Sequence, residues 1–178
     1  RSHPHGLDLG PLEPRLPERL FTPGKRIRLV PEIYVTELDR LRDSFQCAGP
    51  GLVLIGRRHL RSNNSWMHNS DRLVKGRSRC TLMIHPDDAE ARGLAEGDSA
   101  VVSSRVGEVT VPVEVTDAIR PGVVSIPHGW GHDRQGTGWQ TARAHAGVSA
   151  NDITDDQFLD GLTGNAAFNG VAVEVRAA

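Results

Sequence analysis

Apolar residues in this chain occur mainly as short runs and strict alternations, a pattern typical of half-buried β-strands. Over residues 108–115 valine occupies every second position, and Glu, Thr or Pro stands between the valines. Residues 171–175 show the same alternation, and a turn at residues 105–107 predicts a hairpin. Several short strands with one or two short helices predict a closed barrel. The predicted strands are residues 27–30, 52–55, 80–84, 100–103, 108–115, 123–126 and 171–175.

Two helical segments complete the predicted elements. Residues 35–45 have mixed helical spacing, with Leu38, Leu41 and Phe45 on one face. A second short helix is predicted to begin at Pro86, which suits the first helical position, and to end at Gly93. Residues 1–24 are rich in proline and glycine, so we expect an extended arm there.

Composition and charge narrow the classes of function. The net charge is -1 and the pI is about 6.8, which argues against bulk binding to nucleic acid or to anionic membranes. The longest apolar run, residues 52–55, is far shorter than the roughly 20 residues that cross a bilayer, so no membrane insertion is expected. Cys47 and Cys80 lack the spacing of a metal site or a disulfide framework, which favours a reducing, cytoplasmic setting. The start lacks both Met and an apolar signal region, so we expect a fragment or a processed product.

The most polar segment follows the strand at residues 52–55. Residues 57–79 contain seven Lys or Arg residues and one acid, Asp71, in a chain whose net charge is near zero. Guanidinium groups bind phosphate oxygens, and Ser, Asn and His side chains can bind the edge of a heterocycle. We therefore predict a phosphorylated heterocycle as the ligand. The alternative is a basic loop that is merely solvated.

A second candidate segment follows the strand at residues 123–126. Residues 127–132, Pro-His-Gly-Trp-Gly-His, combine imidazole and indole rings with glycines that let a ligand approach the backbone. The alternative is a glycine-rich turn with incidental histidines. A zinc site at His128 and His132 is disfavoured because the intervening glycines oppose a helix that would align the two rings.

Two later segments, residues 148–156 and 160–170, place amide side chains beside turns, although Asn and Asp are also ordinary turn formers. The G-x-G-x-x-G, P-loop and G-x-S-x-G motifs are absent from the sequence. Polar loops without paired catalytic groups are typical of a binding domain more than of a catalyst.

The order of these segments resembles the C-terminal dinucleotide-binding domain of molybdopterin oxidoreductases, the dimethyl sulfoxide reductase and formate dehydrogenase superfamily. The resemblance extends from residue 52 to residue 175, and residues 8–17 resemble the segment that crosses between the catalytic and C-terminal domains. Each motif is weak alone, but the ordered series is specific. In order the motifs are Gly56-Arg57-Arg58, His68-Asn69-Ser70, Ile84-His85-Pro86-Asp87-Asp88-Ala89, Glu96-Gly97-Asp98, Pro121-Gly122-Val123-Val124, Pro127-His128-Gly129, Asn151 before Thr154-Asp155, and residues 160–175.

The resemblance implies a mainly β fold with short helices, the double-psi β-barrel seen in aspartate decarboxylase and in the formate dehydrogenase C-terminal domain. It implies that residues 1–50 are an arm from an upstream catalytic region and that residues 51–178 are the barrel. The implied cofactor is a molybdopterin guanine dinucleotide, in a bis form shared with missing upstream domains. Molybdenum or tungsten and any iron–sulfur cluster would belong to those domains, so the isolated domain is expected to orient the cofactor without catalysis.

The resemblance also implies a set of cofactor-binding residues. Phosphate or pterin contacts are expected from Arg57, Arg58, His59 and Arg61. The loop wall is expected to continue through Ser62, Asn64, Ser65, Trp66, His68 and Asn69. The opposite side is expected to be framed by His128, Gly129, Asn151, Phe168 and Asn169.

Two other functions stay open at the level of sequence. The first is a freestanding double-psi barrel that binds peptides or proteins, as in the N-terminal domains of some ATPase chaperones. The second is a small hydrolase that uses His128 or His132, although no base–nucleophile pair supports it. Members of the resembled superfamily differ in substrate, so the barrel does not choose between formate, nitrate, sulfoxide and others.

Overall fold

The computed structural model of the protein describes residues 2–46 and 51–178. The chain divides into two compact units, Arg1–Ala48 and Gly49–Ala178. Cys47 and the predicted domain boundary at residue 50 lie outside the described residues.

The first unit is mostly extended chain, with a 3-10 turn at Pro23–Lys25 and helix α1 at Glu32–Ser44. The predicted helix is therefore confirmed, and it begins directly after Pro31, which fits the start of a helix. The strand predicted at residues 27–30 is wrong. Ile27 and Leu29 have exposed side chains. No strand in the described residues pairs with this stretch, so its backbone N–H and C=O groups lack the hydrogen bonds that a neighbouring strand would provide.

The second unit contains six strands that form a closed barrel, as the alternating pattern predicted. Five of the predicted strands match within three residues at either end, and the strand predicted at residues 80–84 is shorter. The strands are β1 (Leu52–Arg57), β2 (Leu82–Ile84), β3 (Ser99–Ser103), β4 (Glu108–Val115), β5 (Val123–Pro127) and β6 (Val171–Ala177).

The strands follow one another around the barrel in the order β1-β5-β2-β4-β3-β6. Only β3 and β4 are joined as a hairpin, and every other connection skips one strand. The β1–β2 connection passes β5, and the β4–β5 connection passes β2, so these two connections interlock. The pairs β1–β5 and β2–β4 are parallel, and the other four pairs are antiparallel. The barrel is a double-psi β-barrel, which confirms the expected fold.

The barrel interior is built almost entirely from aliphatic side chains, because aromatic residues are only 4% of the chain. Strands β4 and β6 bury alternate valines, in agreement with their sequence pattern. Leu54, Leu82 and Ile84 lie at the centre and are at most 2% exposed. Fully burying a side chain of this size contributes about 1.5–3 kcal/mol.

The pairing registers bring the polar loops to one end of the barrel. Arg57, the last residue of β1, pairs with Pro127, the last residue of β5. The β3–β4 hairpin turns at the same end, because β2 runs antiparallel to β5 and parallel to β4. The segment that enters β6 also lies there, since Val171 pairs with Leu54. We call this the loop end of the barrel.

Short helices fill the connections: α2 (Asp71–Val74), α3 (Pro86–Glu90), α4 (Gln140–Ala144) and a 3-10 turn at Ala150–Ile153. Helix α3 begins at Pro86 as predicted, and the ring Nδ1 of His85 caps it by accepting the Asp87 N–H at 3.2 Å. The other three elements were not predicted, because a single turn has no periodicity to detect. No helix among the described residues has the length and apolar character needed to span a membrane.

Candidate functional site

A pocket of about 670 Å³ opens at the loop end of the barrel. It lies between the loop that follows β1 and the turn that follows β5. Five of its lining residues were expected from the resemblance, and one of these, Ser62, is buried. The lining residues are Arg58, His59, Leu60, Ser62, Asn63, Asn64, Met67 and His128.

Three side chains form a polar cluster in this pocket, which we call the Arg58–Asn64–His128 cluster. The Arg58 guanidinium donates to Asn64 Oδ1 and lies 3.0 Å from His128 Nε2. His128 Nε2 is also 3.0 Å from Asn64 Oδ1. Burial and, to a lesser degree, Arg58 lower the pKa of His128, so its ring is neutral at neutral pH. The cluster therefore offers one fixed positive charge beside neutral amide and imidazole groups.

The backbone of Asn63 and Asn64 is left-handed, with φ of 43° and 62°. Asparagine tolerates this region better than most residues, but each instance still costs on the order of 1 kcal/mol. The carbonyl of Asn64 packs against Gly129, whose φ is 92° and where a β-carbon would overlap that carbonyl. Gly129 therefore permits a close approach of the two loops that no other residue would allow.

The segment before β6 joins the same region. Asn169 Oδ1 accepts the Gly56 N–H at 2.8 Å, at the end of β1. The ring of Phe168 meets the ring of His128 edge to face, with centroids 5.5 Å apart. Three chain segments that are distant in sequence thus converge at the loop end.

Arg57 and Arg58 are adjacent in sequence but have different surroundings. The Arg57 guanidinium donates to Thr81 O at 2.9 Å, to Thr81 Oγ1 at 2.7 Å and to the Ser125 carbonyl. Burial lowers its pKa, and Glu114 at 3.9 Å opposes that effect. Most of its donors are used to tie β1 to β2 and β5, which leaves Arg58 as the arginine that faces the pocket.

Two predicted loop residues have partners inside the protein. His68 is 1% exposed, with its ring against Trp130 at a centroid distance of 4.0 Å. Asn69 Oδ1 accepts the Ala142 N–H at 3.2 Å, which anchors α4 to the loop. Both residues hold the loop in place, and neither lines the pocket.

The remaining loop residues are more accessible. Arg61 and Trp66 are exposed, Trp66 to 79%, and Ser65 is half-buried. His59 Nδ1 accepts the Arg61 N–H at 3.1 Å. Burial and three neighbouring arginines lower the pKa of His59, so its ring is neutral as well.

Asn151 lies apart from the pocket in the contacts of the described residues. It is exposed on the 3-10 turn, and the carbonyl of its neighbour Asp152 packs against Gly107 in the β3–β4 hairpin. Arg105 binds both carboxylate oxygens of Asp155 at 2.7 Å and so fixes the end of this turn. Asn151 is therefore at the loop end but on the side of the hairpin.

Sequence reasoning missed three pocket residues, namely Asn63, Leu60 and Met67. Asn63 could have been found, because two consecutive asparagines often mark left-handed backbone. Leu60 and Met67 gave no signal of this kind. The described contacts give His128 and His132 different partners, because His128 contacts Arg58 and Asn64 whereas His132 contacts His68.

The chemistry of this region fits a phosphorylated heterocycle. The Arg58 guanidinium suits phosphate oxygens, and the Asn64 amide and the neutral His128 ring suit heterocycle edges. Glycine at residues 56 and 129 lets Phe168 and the Asn64 carbonyl approach closely, which brings the loops around the pocket together. The pocket volume of about 670 Å³ is ordinary for a cofactor site.

A double-psi barrel with polar loops gathered at one end is the architecture of a ligand-binding module. Residues 52–172 match the family described as "Molydopterin dinucleotide binding domain". This match covers well over half of the chain, and the chain belongs to that family of molybdopterin dinucleotide-binding domains. The expected molybdopterin guanine dinucleotide cofactor is supported by this membership.

The chain is also similar to parts of larger proteins. It is 33% identical over 125 residues to the arsenate respiratory reductase molybdopterin-containing subunit of Chrysiogenes arsenatis, covering 64% of this chain and 14% of the relative. It is 43% identical over 60 residues to the dimethyl sulfoxide/trimethylamine N-oxide reductase of Rhodobacter capsulatus, covering 34% of this chain and 7% of the relative. The solved acetylene hydratase of Pelobacter acetylenicus matches 80% of this chain with a TM-score of 0.60 and 21% identity, over 20% of that chain. The chain thus spans a small fraction of the proteins it matches.

Proposed function

We propose that this barrel holds and orients a molybdopterin guanine dinucleotide as the C-terminal domain of a molybdenum or tungsten oxidoreductase of the dimethyl sulfoxide reductase class. The observation that carries the proposal is the convergence of three loops on the Arg58–Asn64–His128 cluster at an open pocket. When bound, the cofactor supplies the redox chemistry of its metal, and the protein supplies binding and orientation.

Each pocket residue has a definite part in this proposal. Arg58 binds a phosphate of the dinucleotide, because its guanidinium is exposed and is already oriented by Asn64. Asn64 and His128 bind polar edges of the cofactor. Arg57 supports the site from within the barrel wall and does not contact the cofactor.

The partners proposed for the barrel are upstream catalytic domains of the same polypeptide. This is supported by the fraction of the relatives that the chain covers, 14% and 7% in the two cases above. Leu60 and Trp66 are 94% and 79% exposed beside the pocket, and an apolar covering would remove both side chains from water. We propose that those domains cover them and complete a bis form of the cofactor.

Finer features of the whole protein stay predictions. A formate dehydrogenase-like activity is one option within the class, and no described residue favours it over reductase activity. Cytoplasmic location rests on the spacing of the two cysteines in the sequence.

The test is an amide NMR titration of the 178-residue chain with GDP, with ADP as the control for unselective attraction of phosphate. GDP-selective shifts are expected at residues 56–69, 128–131 and 165–169, and at Asn151 if a second part of the nucleotide reaches the hairpin side. Arg58→Gln should weaken GDP binding by about tenfold, because it removes the charge that faces the pocket. Arg120→Gln is the matched control, since Arg120 is an exposed arginine near the start of β5, at the other end of the barrel.

Equal responses to GDP and ADP, or no response in the loops, would contradict the proposal for this chain. Binding of unfolded peptides at the same surface would then favour the freestanding peptide-binding barrel.

A further inference from the structure

Behind the pocket, the loop that follows β1 contains a buried histidine that contacts a second one. His68 Nδ1 lies 2.8 Å from His132 Nε2, and the two rings meet edge to face with centroids 5.1 Å apart. On its other side the ring of His68 packs on Trp130. His68 is 1% exposed, so it is closed off from any ligand in the pocket.

Both rings are neutral at neutral pH. Burial, and next His132, lower the pKa of His68 to about 4, although the carbonyl of Gly129 acts in the opposite direction. Burial also lowers the pKa of His132, with Asp133 opposing it. Between two neutral imidazoles one nitrogen must donate and the other must accept, so the contact is a directional hydrogen bond and not only a packing contact.

The pair joins the two loops that form the pocket. His68 ends a series of turns in which the His68 N–H donates to Ser65 O at 3.1 Å and the Met67 N–H donates to Ser62 O at 3.1 Å. His132 follows the turn that contains His128 and Gly129, and its N–H donates to Ala146 O at 3.2 Å. The hydrogen bond between the two rings therefore connects the segment of Asn64 to the segment of His128.

The backbone that lines the pocket explains why a connection between the two loops is needed. Asn63 and Asn64 are left-handed, and the Asn64 carbonyl is pressed against Gly129. This arrangement costs free energy, and it persists only where other contacts between the two loops offset that cost. The ring–ring hydrogen bond joins the same two loops and supplies one such contact.

We propose that His68 and His132 are a positioning pair that holds Asn64 against His128 in the geometry that binds the cofactor, an inference that rests on the function proposed above. Neither residue contacts the ligand. His68, expected from the resemblance as part of the loop wall, acts through the residues that line the pocket.

The test uses the 178-residue chain and two ways of changing His132. His132→Leu removes the ring nitrogen, whereas His132→Gln keeps an N–H near the position of Nε2 that can donate to His68 Nδ1. His68→Phe keeps an aromatic ring against Trp130 and removes both nitrogens. His5→Leu is the control, because His5 is an exposed histidine in the first unit.

Two readouts are compared: GDP affinity by NMR titration, and amide hydrogen exchange in residues 59–69 against exchange in β3 and β4. His132→Leu and His68→Phe are expected to weaken GDP binding by roughly tenfold and to raise exchange in the loop but not in the strands. His132→Gln is expected to stay within about twofold of the unmodified chain, because its amide replaces the hydrogen bond.

The outcomes separate the two proposals. If the unmodified chain fails to bind GDP selectively, the proposed function falls and the positioning role falls with it. If the unmodified chain binds GDP and His132→Leu binds it equally well, only the positioning pair is overturned. Equal weakening of GDP binding by His132→Leu and His132→Gln would also overturn the positioning pair. So would amide exchange that rises throughout the barrel, since either result assigns the two histidines to packing alone.

Discussion

The ring of Phe168 occupies the space that a β-carbon on Gly56 would need. The neighbouring Asn169 accepts the Gly56 N–H, and the Phe168 ring also contacts the ring of His128. A residue at the end of β1 is thus linked through one aromatic ring to the Arg58–Asn64–His128 cluster.

We expect Gly56→Ala to displace the Phe168 ring and, with it, the ring of His128. The ring can move, so the free energy of unfolding should fall by only about 1–2 kcal/mol. The measurement is a urea titration together with the NMR signals of the His128 ring. Unchanged His128 signals in a destabilised variant would show that Phe168 does not transmit the change.

Gly129→Ala is expected to be more damaging, because the added carbon meets the backbone of Asn64 and not a movable side chain. Gly136→Ala is its matched control. Gly136 has a φ of 90°, but no neighbouring atom lies within 4 Å of the place that a β-carbon would take, so only its backbone conformation is penalised. We expect the free energy of unfolding, measured with urea, to fall by about 1 kcal/mol for the substitution at residue 136 and by about 3 kcal/mol or more for the one at residue 129. Equal losses would mean that the loops separate freely.

Substitutions of the adjacent Arg57 and Arg58 should have different effects, one on stability and the other on binding. Arg57→Gln removes donors to Thr81 and Ser125 inside the barrel wall, so the free energy of unfolding should fall by about 2–3 kcal/mol. Arg58→Gln should change the stability by less than about 0.5 kcal/mol, because Arg58 is exposed. Urea unfolding of both variants checks this, and a reversed order would exchange the roles given to the two residues.

The stability of the barrel should depend on His68 in mildly acidic solution. The pKa of His68 is about 4 in the folded protein, below its ordinary value of 6.5, so the unfolded chain binds the proton more readily. The stabilisation from a neutral His68 is therefore complete above pH 6.5 and is lost as the pH falls towards 4.

His68→Phe has no such titration. Between about pH 7 and pH 4 the unmodified chain should lose about 3 kcal/mol more stability than this variant. Urea unfolding at several pH values measures the difference, and parallel curves would show that His68 keeps an ordinary pKa when folded.

The strands and the barrel could be predicted because each strand buries a regular set of aliphatic residues. The alternating valines of β4 and β6 carry that information without any tertiary context. The strand expected at residues 27–30 is absent because no described strand pairs with this apolar run. An apolar run becomes a strand only where another strand pairs with it, and pairing is not visible in a short segment.

The polar loops were predicted as a set, but the sequence did not show which of the fifteen named residues would line the pocket. Nothing local distinguishes Arg57 from Arg58, because the difference arises when Thr81 and Ser125 arrive from β2 and β5. The burial of His68 depends in the same way on Trp130 and His132. The sequence shows the chemical character of a side chain. Whether that side chain faces the pocket or the barrel wall depends on partners from distant parts of the chain.

The circular order of the strands has a consequence for how the barrel forms during synthesis. Strand β6 lies between β1 and β3, so the first strand to be made stays open on one edge until the last strand has left the ribosome. The other neighbour of β1 is β5, which is also synthesised late. Pairing between strands so far apart in sequence forms slowly. The two pocket loops meet when β1 pairs with β5, and Phe168 joins them only when β6 closes the circle. Within this domain, the complete set of loop contacts is therefore assembled only after β6 has been synthesised, without any separate checkpoint.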